Sequence, residues 1–176
     1  WAVGERILQI RDWKVHGVKY GDRDRGSYFA VLLGVGGGLL AAVFASRVSW
    51  LTVPGADVWL ALGLLTAWAG LVLRAWAVRT LGEYFITKVE VADDQVVVTD
   101  GPYQWVRHPS YSGLLLAMTG FGLAMGNLGS LLALALLPLL GTLPRIRVEE
   151  RALESVLGEK YQDYEKNRPR LIPRVW

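Results

Sequence analysis

The chain has 176 residues, a length that fits one domain, and 52% of them are hydrophobic. It contains no cysteine, which excludes disulfides, a thiolate nucleophile and cysteine-ligated metals, and its two histidines lie too far apart in sequence to favour a zinc site. The net charge is only +3, so nucleic acid is not an expected partner.

The first 26 residues are rich in charge, and their apolar side chains recur at helical spacing. Val3, Ile7, Ile10 and Trp13 would share one face of a helix. This pattern predicts an amphipathic helix that lies at the membrane interface. A secretory signal peptide is not expected, because charged residues are spread through the segment. The sequence begins without methionine, so we expect a further segment upstream.

Two uncharged stretches follow, over residues 27–46 and 58–73. The first has twenty residues, and about that number crosses a hydrocarbon core of roughly 30 Å. The second has sixteen and reaches that length if Arg74 extends its side chain to the interface. A helix in the core of a soluble protein would show a polar face, and the first stretch shows none. Both are therefore predicted to span a membrane.

The stretch 112–143 has thirty-two uncharged residues, too many for one crossing at about 1.5 Å per residue. The turn signal MGNLGS interrupts it at residues 125–130. We expect two short helices, 112–125 and 129–143, that fold as a hairpin. The expected fold is an all-α polytopic membrane protein with about four transmembrane segments. Two pairs of glycines are spaced four apart, which lets helices approach closely. They are Gly34 with Gly38, and Gly122 with Gly126.

Lysine and arginine are concentrated in alternate connections along the chain. Residues 1–26 carry six of them and residues 144–176 carry eight. The loop 79–111 carries three, the loop 47–57 carries one and the hairpin turn carries none. With four segments the cation-rich regions fall on one side, which the positive-inside rule assigns to the cytoplasm. Both termini are therefore expected to be cytoplasmic, and the compact size favours a bacterial inner membrane.

The unusual polar residues lie in two cytoplasmic pieces joined by the hairpin. They are residues 79–113, where VEV and QVVVT are strand-like, and residues 144–173. A hairpin returns to the side that it left, so Tyr103–Tyr111 is expected to meet Arg145–Glu150. Pro109 suits the first position of a helix, where its missing N–H costs nothing. His108 would then stand beside unpaired N–H groups that favour an anion.

Each piece taken alone also has a structural interpretation. His108 and Tyr111 could be interfacial anchors, a common use of amphipathic rings at the headgroup level. Glu149 and Glu150 could be solvated residues at the start of a helix, with Arg145 and Glu149 forming an i,i+4 ion pair. In that case the protein would be a non-catalytic membrane module that binds no nucleotide.

The two pieces together carry a family resemblance. GPYQWVRHPSYSG, a hydrophobic hairpin and EERALESVLGEKYQDYEKNRPRLIP follow one another within residues 81–173. This order resembles the isoprenylcysteine carboxyl methyltransferase family, which shares its C-terminal core with phospholipid N-methyltransferases. The resemblance implies an integral membrane methyltransferase that uses S-adenosyl-L-methionine, releases S-adenosylhomocysteine and has no Rossmann fold. The sequence has no glycine-rich fingerprint in a strand–helix setting, which agrees with that expectation.

Carried over by position, the resemblance implies a cofactor site shared by the loop, the start of the hairpin and the tail. Its cofactor-binding residues would be Lys88, Gln95, Val96, Val97, Val98, Tyr103, His108, Pro109, Ser110, Tyr111 and Glu149. Arg145 would bind the methyl acceptor, and the catalytic roles would fall to Arg145, Glu149 and His108. Lys88 and Gln95 depart from the residue types expected in the eukaryotic enzymes.

The chemistry of the acceptor decides what these residues do. A carboxylate is ionised at pH 7, so the site has only to align the reactants and hold the anion near a cation such as Arg145. An amine must lose a proton, which makes Glu149, Glu150 or His108 a candidate base.

The first expectation is carboxyl O-methylation of an isoprenylated or other lipidic acid that enters from the bilayer. N-methylation of an ethanolamine headgroup is the alternative within the same fold, and an NADPH-dependent reductase of the sterol-reductase type is another class. The chain would divide into an interfacial segment 1–26, two transmembrane helices within 27–79 and a methyltransferase core 80–176. A lipidic acceptor and membrane lipids are the expected partners, and no metal is expected.

Overall fold

The computed structural model describes residues 26–82 and 97–173. Within these ranges the regular elements are five α-helices and two 3₁₀ turns. The helices are α1 (Ser27–Ala45), α2 (Ala56–Leu81), α3 (Pro109–Ala124), α4 (Leu128–Leu157) and α5 (Glu159–Lys166), and the turns are Ser49–Leu51 and Gly101–Gln104. Residues 1–25 of the expected interfacial helix and residues 83–96 of the loop 79–113, with its strand-like VEV segment, lie outside the described residues.

Three helices of the described ranges, α1, α2 and α4, are long and apolar enough to cross a membrane. Large apolar side chains point outward from them: Leu33 is 74% exposed, and Leu65 and Trp68 are each 68% exposed. An apolar surface of this extent marks a contact with a membrane or a partner. The fourth expected segment, α3, has only sixteen residues, or about 24 Å of helix at roughly 1.5 Å per residue.

Each of the first two helices packs on one arm of the α3–α4 hairpin, α1 on α4 and α2 on α3, and the two arms pack on each other. Glycines permit the close approach. A Cβ atom at Gly34 would lie 2.6 Å from the Leu137 carbonyl oxygen, and one at Gly38 would lie 3.3 Å from a backbone oxygen of α4. A Cβ atom at Gly70 would lie 2.6 Å from the Gly113 carbonyl oxygen. The contact expected of Gly34 and Gly38 is confirmed, and the Gly70–Gly113 contact was not foreseen.

The hairpin turn has its own polar anchor. Asn127 caps α4 by accepting a hydrogen bond from the Ser130 N–H at 3.0 Å, and its amide donates to the Val48 carbonyl at 3.3 Å. Gly122 approaches Leu131 of the opposite arm, as expected. The close contact expected of Gly126 is wrong: this residue has a φ of +57° and open space around its Cα, so it serves the turn, where glycine avoids the steric penalty of positive φ.

The second arm of the hairpin is longer than the apolar stretch that predicted it. We expected a helix over residues 129–143 and a separate helix afterwards, but α4 runs unbroken to Leu157 through Pro138 and Pro144. A proline removes one backbone hydrogen bond without obliging the helix to end when tertiary packing holds it. Pro138 and the following Thr142 are fully buried among the other helices. The end of the apolar run is therefore a change in side-chain polarity and not a helix boundary.

Candidate active site

The start of α3 and the last turns of α4 meet at one end of the bundle, as the hairpin argument predicts. His108 Nε2 lies 3.2 Å from Glu150 Oε1. The Tyr111 hydroxyl donates to Glu149 Oε2 at 3.0 Å and accepts from Arg145 Nε at 3.3 Å. The juxtaposition of Tyr103–Tyr111 with Arg145–Glu150 is therefore confirmed.

The first turn of α3 is fixed in place by α2. His108 is the N-cap residue and Pro109 occupies the first turn, as the sequence predicts. Arg74 of α2 donates from Nη1 to the Ser110 carbonyl oxygen at 3.2 Å and to the Ser110 hydroxyl at 2.9 Å. Because Ser110 is buried, this contact sets the height of the α3 start against α2.

Tyr111 stands between a cation and a carboxylate. Arg145 is only 3% exposed, and besides Tyr111 it contacts the Ser27 hydroxyl at the start of α1, 3.3 Å from Nη1. Glu149 is half-buried, with one carboxylate oxygen engaged by Tyr111. Arg145 and Glu149 are four residues apart on α4 and therefore share a face. This arrangement places a buried positive group and a carboxylate on either side of one hydroxyl.

Glu150, which the sequence offered only as a candidate base for an amine acceptor, is the centre of a second cluster. Its carboxylate lies 3.0 Å from Arg107 Nη1 and 3.0 Å from Arg170 Nη2, in addition to the contact with His108. The hydrogen bond to Glu150 raises the pKa of Arg170. Neighbouring helical residues point about 100° apart, so the Glu-Glu pair could not share one set of partners. That spacing was the available signal that the two carboxylates differ in role.

Tyr103 is held by α5 on the other side of the cluster. The Tyr164 hydroxyl donates to the Tyr103 carbonyl oxygen at 2.8 Å, and burial raises the pKa of Tyr164 to about 12, which keeps that hydroxyl protonated. Burial also raises the pKa of Tyr103, and the negative charge of Glu149 adds to that shift. The phenol of Tyr103 is therefore buried close enough to Glu149 for the two groups to interact electrostatically.

The remaining residues implied by the resemblance fall into two groups. Val97 and Val98 are half-buried and lie two residues before the Gly101–Gln104 turn. Lys88, Gln95 and Val96 lie outside the described residues. The described part of the site is thus built from the α3 start, the α4 end, the Tyr103 turn and α5.

The described side chains suit the polar groups of S-adenosylmethionine. Glu149 offers acceptor oxygens to an amine or to ribose hydroxyls, and its charge is opposite to that of a sulfonium. Tyrosine rings such as those of Tyr103 and Tyr111 suit a cation or an adenine; the Tyr111 hydroxyl is held by Glu149 and the backbone of Tyr103 by Tyr164. The residues present therefore fit this cofactor.

Comparison with known proteins settles the family. The model of the isoprenylcysteine carboxyl methyltransferase (ICMT) family matches residues 61–155, more than half of the chain. The chain belongs to this family. The ICMT match runs from α2 to the last turn of α4 and so includes the whole hairpin. The resemblance drawn from the RHPSYSG and Glu-Glu motifs is confirmed.

Relatives in the ICMT family show how much of a whole enzyme this chain represents. The Protein-S-isoprenylcysteine O-methyltransferase of Schizosaccharomyces pombe is 37% identical over 117 residues, which are 65% of this chain and 49% of that protein. The Homo sapiens protein of the same name is 32% identical over 131 residues, 73% of this chain and 43% of its own length. The chain spans about half the length of these curated relatives.

The fold agrees with a solved ICMT structure. The structure of the eukaryotic intramembrane Ras methyltransferase ICMT, solved without a monobody, matches with a TM-score of 0.61 at 30% sequence identity. The match covers 84% of this chain and 52% of that one. Family membership and the three apolar helices together make this chain an integral membrane protein.

Proposed function

We propose that this chain transfers the methyl group of S-adenosyl-L-methionine to the carboxylate of an isoprenylated cysteine or a similar lipidic acid. One observation carries the proposal: the Tyr111 hydroxyl links the buried Arg145 to Glu149 at the end of the hairpin. A cation for the acceptor and a carboxylate for the donor thus stand side by side. Relatives named as protein-S-isoprenylcysteine O-methyltransferases support the same choice of acceptor.

S-adenosylmethionine would supply an electrophilic methyl carbon on a sulfonium, open to in-line displacement. Glu149, Tyr103, Tyr111 and the turn 108–110 would bind it, together with the loop residues that the resemblance implies, Lys88, Gln95 and Val96–Val98. Arg145 would hold the acceptor carboxylate, which is ionised at neutral pH and needs no general base. The contribution of the protein is then alignment and electrostatic stabilisation in a site shielded from water.

The position of Arg145 favours an acceptor that arrives from the bilayer. This arginine follows the apolar stretch of α4 by two residues and contacts the first residue of α1. A lipid tail could lie along the exposed apolar faces while its carboxylate reaches the guanidinium. The same charge disfavours N-methylation of an ethanolamine headgroup, because a guanidinium repels an ammonium group.

Isothermal titration of the full chain in detergent with S-adenosylhomocysteine tests the cofactor. We expect the wild type to bind, and Glu149→Gln to weaken binding by roughly tenfold or more, since a charged hydrogen-bond acceptor is lost. Glu154→Gln is the matched control, because Glu154 is exposed one turn further along α4. The proposal would be contradicted by a folded wild type that does not bind S-adenosylhomocysteine and does not methylate an S-farnesylated N-acetylcysteine. Binding of NADPH instead would favour the reductase class.

We further propose four transmembrane segments, with α3 as the third, and both termini on the cytoplasmic side of a bacterial inner membrane. The natural absence of cysteine allows single introduced cysteines to report sidedness. Ser49 and Ser155 are both exposed and lie at opposite ends of the bundle. A membrane-impermeant maleimide should label Ser49→Cys in intact spheroplasts and Ser155→Cys only after permeabilisation. The reverse pattern would contradict the orientation, and equal labelling of both would contradict the span count.

A further inference from the structure

We infer that Glu150 is a positioning residue: it fastens the C-terminal strap, residues 169–171, across the start of α3 and so holds the cofactor-binding turn 108–111. The inference rests on the proposed function, since that turn is where S-adenosylmethionine would bind. It assigns the two adjacent carboxylates of α4 different roles: Glu149 would contact the cofactor, and Glu150 would hold the turn that binds it.

The strap is hydrogen-bonded to the residues around the start of α3. The Arg107 N–H donates to the carbonyl oxygen of residue 169 at 2.9 Å, and the His108 N–H donates to that of residue 170 at 3.0 Å. The Ser112 hydroxyl donates to the carbonyl oxygen of residue 171 at 2.6 Å. The strap therefore satisfies backbone groups that precede a helix beginning with proline, and it does so from more than fifty residues further along the chain.

Glu150 ties the same two segments together through side chains. Arg170, which belongs to the strap, donates from Nε at 3.1 Å to each carboxylate oxygen. Arg107 and His108, which precede α3, contact the same carboxylate. Glu150 is 7% exposed, and a buried charge is stable only when it is well paired. The carboxylate can therefore keep its place only while the strap and the turn are both present.

Glu150 reaches the cofactor-binding turn from behind. Glu149, the preceding residue, faces Tyr111 and the Arg145 cation. Glu150 instead meets the His108 ring, which is itself buried, and the His108–Tyr111 rings lie 5.8 Å apart. Loss of Glu150 would release the His108 ring and the Arg170 side chain together and so loosen the first turn of α3, which Arg74 and the backbone hydrogen bonds of the strap continue to hold in part. The expected result is weaker binding of the methyl donor without a direct contact being removed.

A double-mutant cycle on the full chain in detergent tests this role. We expect Glu150→Gln and Arg170→Gln each to raise the KM for S-adenosylmethionine and the Kd for S-adenosylhomocysteine by roughly tenfold, with the double variant no worse than either, because the two residues act as one unit. The KM for an S-farnesylated N-acetylcysteine should stay unchanged. Arg170→Lys should restore most of the affinity, and Glu154→Gln should match the wild type. Trypsin should cleave after Arg170 faster in Glu150→Gln.

The outcomes separate this inference from the proposed function. If the wild type binds S-adenosylhomocysteine and a folded Glu150→Gln binds it equally well, the inference is overturned and the proposed function stands. A lower melting temperature with unchanged KM values, or additive losses in the double variant, would make Glu150 merely structural and would also overturn it. If Glu150→Gln does not fold, Arg170→Gln decides the question, since the Arg170 side chain is 31% exposed. A folded wild type that shows neither binding nor activity would contradict both the proposed function and this inference.

Discussion

The two ends of the α3–α4 hairpin bury polar groups of different kinds. At the turn, Asn127 and Ser130 are neutral and bond backbone groups near them, including the Ala42 carbonyl oxygen at 2.8 Å from the Ser130 hydroxyl. At the other end, Glu150 is surrounded by cationic partners from segments before α3 and after α5. A neutral hydrogen bond is lost at modest cost, whereas a buried charge without its partner is strongly destabilising. The charged end thus departs from what stability alone favours, as functional sites commonly do.

The largest effect should come from removing the Glu150 carboxylate at the charged end of the hairpin. Glu150→Ala breaks the buried ion pair with Arg107, which keeps only the partly exposed Glu165, and breaking a buried ion pair costs about 3–5 kcal/mol. We expect a lower midpoint of thermal unfolding in detergent, followed by tryptophan fluorescence. Glu154→Ala, at an exposed position of the same helix, should leave the midpoint unchanged. Equal midpoints for the two variants would show that the Glu150 cluster contributes nothing to stability.

Removing Arg145, the cation that we propose holds the acceptor, should mainly affect the reaction. Arg145→Leu is expected to lower kcat/KM for an S-prenylated carboxylate by roughly 100-fold, as for loss of a preorganised electrostatic contact. Binding of S-adenosylhomocysteine should change little, because Glu149 remains. Arg147→Leu is the matched control, since Arg147 is exposed two residues along α4. A fully active Arg145→Leu would exclude Arg145 as the acceptor contact.

The smallest effect is expected at the turn. Asn127→Ala removes the cap of α4 and the contact with Val48, which should lower stability by about 1 kcal/mol. Titration with S-adenosylhomocysteine should give the wild-type affinity, because the turn 108–111, which we propose binds the cofactor, lies at the opposite end of the hairpin. A large loss of cofactor affinity in this variant would show that the two ends are coupled through the helices.

Local patterns were sufficient for α1, for α2 and for the meeting of the two polar pieces. The uncharged stretches predicted α1 and α2, and the Met125–Ser130 turn signal predicted that the chain would reverse. A reversal brings its two ends together whatever the details of packing, so the meeting of residues 103–111 with residues 145–150 followed from the sequence, whereas the particular contact of Tyr111 with Glu149 did not. The family motif added the residue roles that periodicity could not supply.

The missed features depend on contacts between distant segments. The helix continues through the exposed Pro144 because Thr142 and Arg145, on either side of it, are buried, which no local pattern records. The strap depends on hydrogen bonds from Arg107 and His108 to residues about sixty positions later. Glu150 looked like its neighbour in sequence, and only the three-dimensional surroundings separate their roles. Gly126 was misassigned because a glycine in a turn and a glycine at a helix contact have the same spacing.

The unbroken α4 also fixes how far Arg145 and Glu149 lie beyond the apolar stretch. Because the helix does not end with its apolar stretch at Leu143, Arg145 stands about 3 Å beyond that point and Glu149 about 9 Å beyond it along the axis. The distance of each group from the end of the apolar stretch is thus set by the number of helical residues between them. An acceptor anchored by its tail in the bilayer would present its carboxylate at the level of Arg145. A donor from the aqueous phase would meet Glu149, which lies further from the apolar stretch. Inserting or deleting a residue between Arg145 and Glu149 would change both their separation along the helix axis and the angle between their side chains.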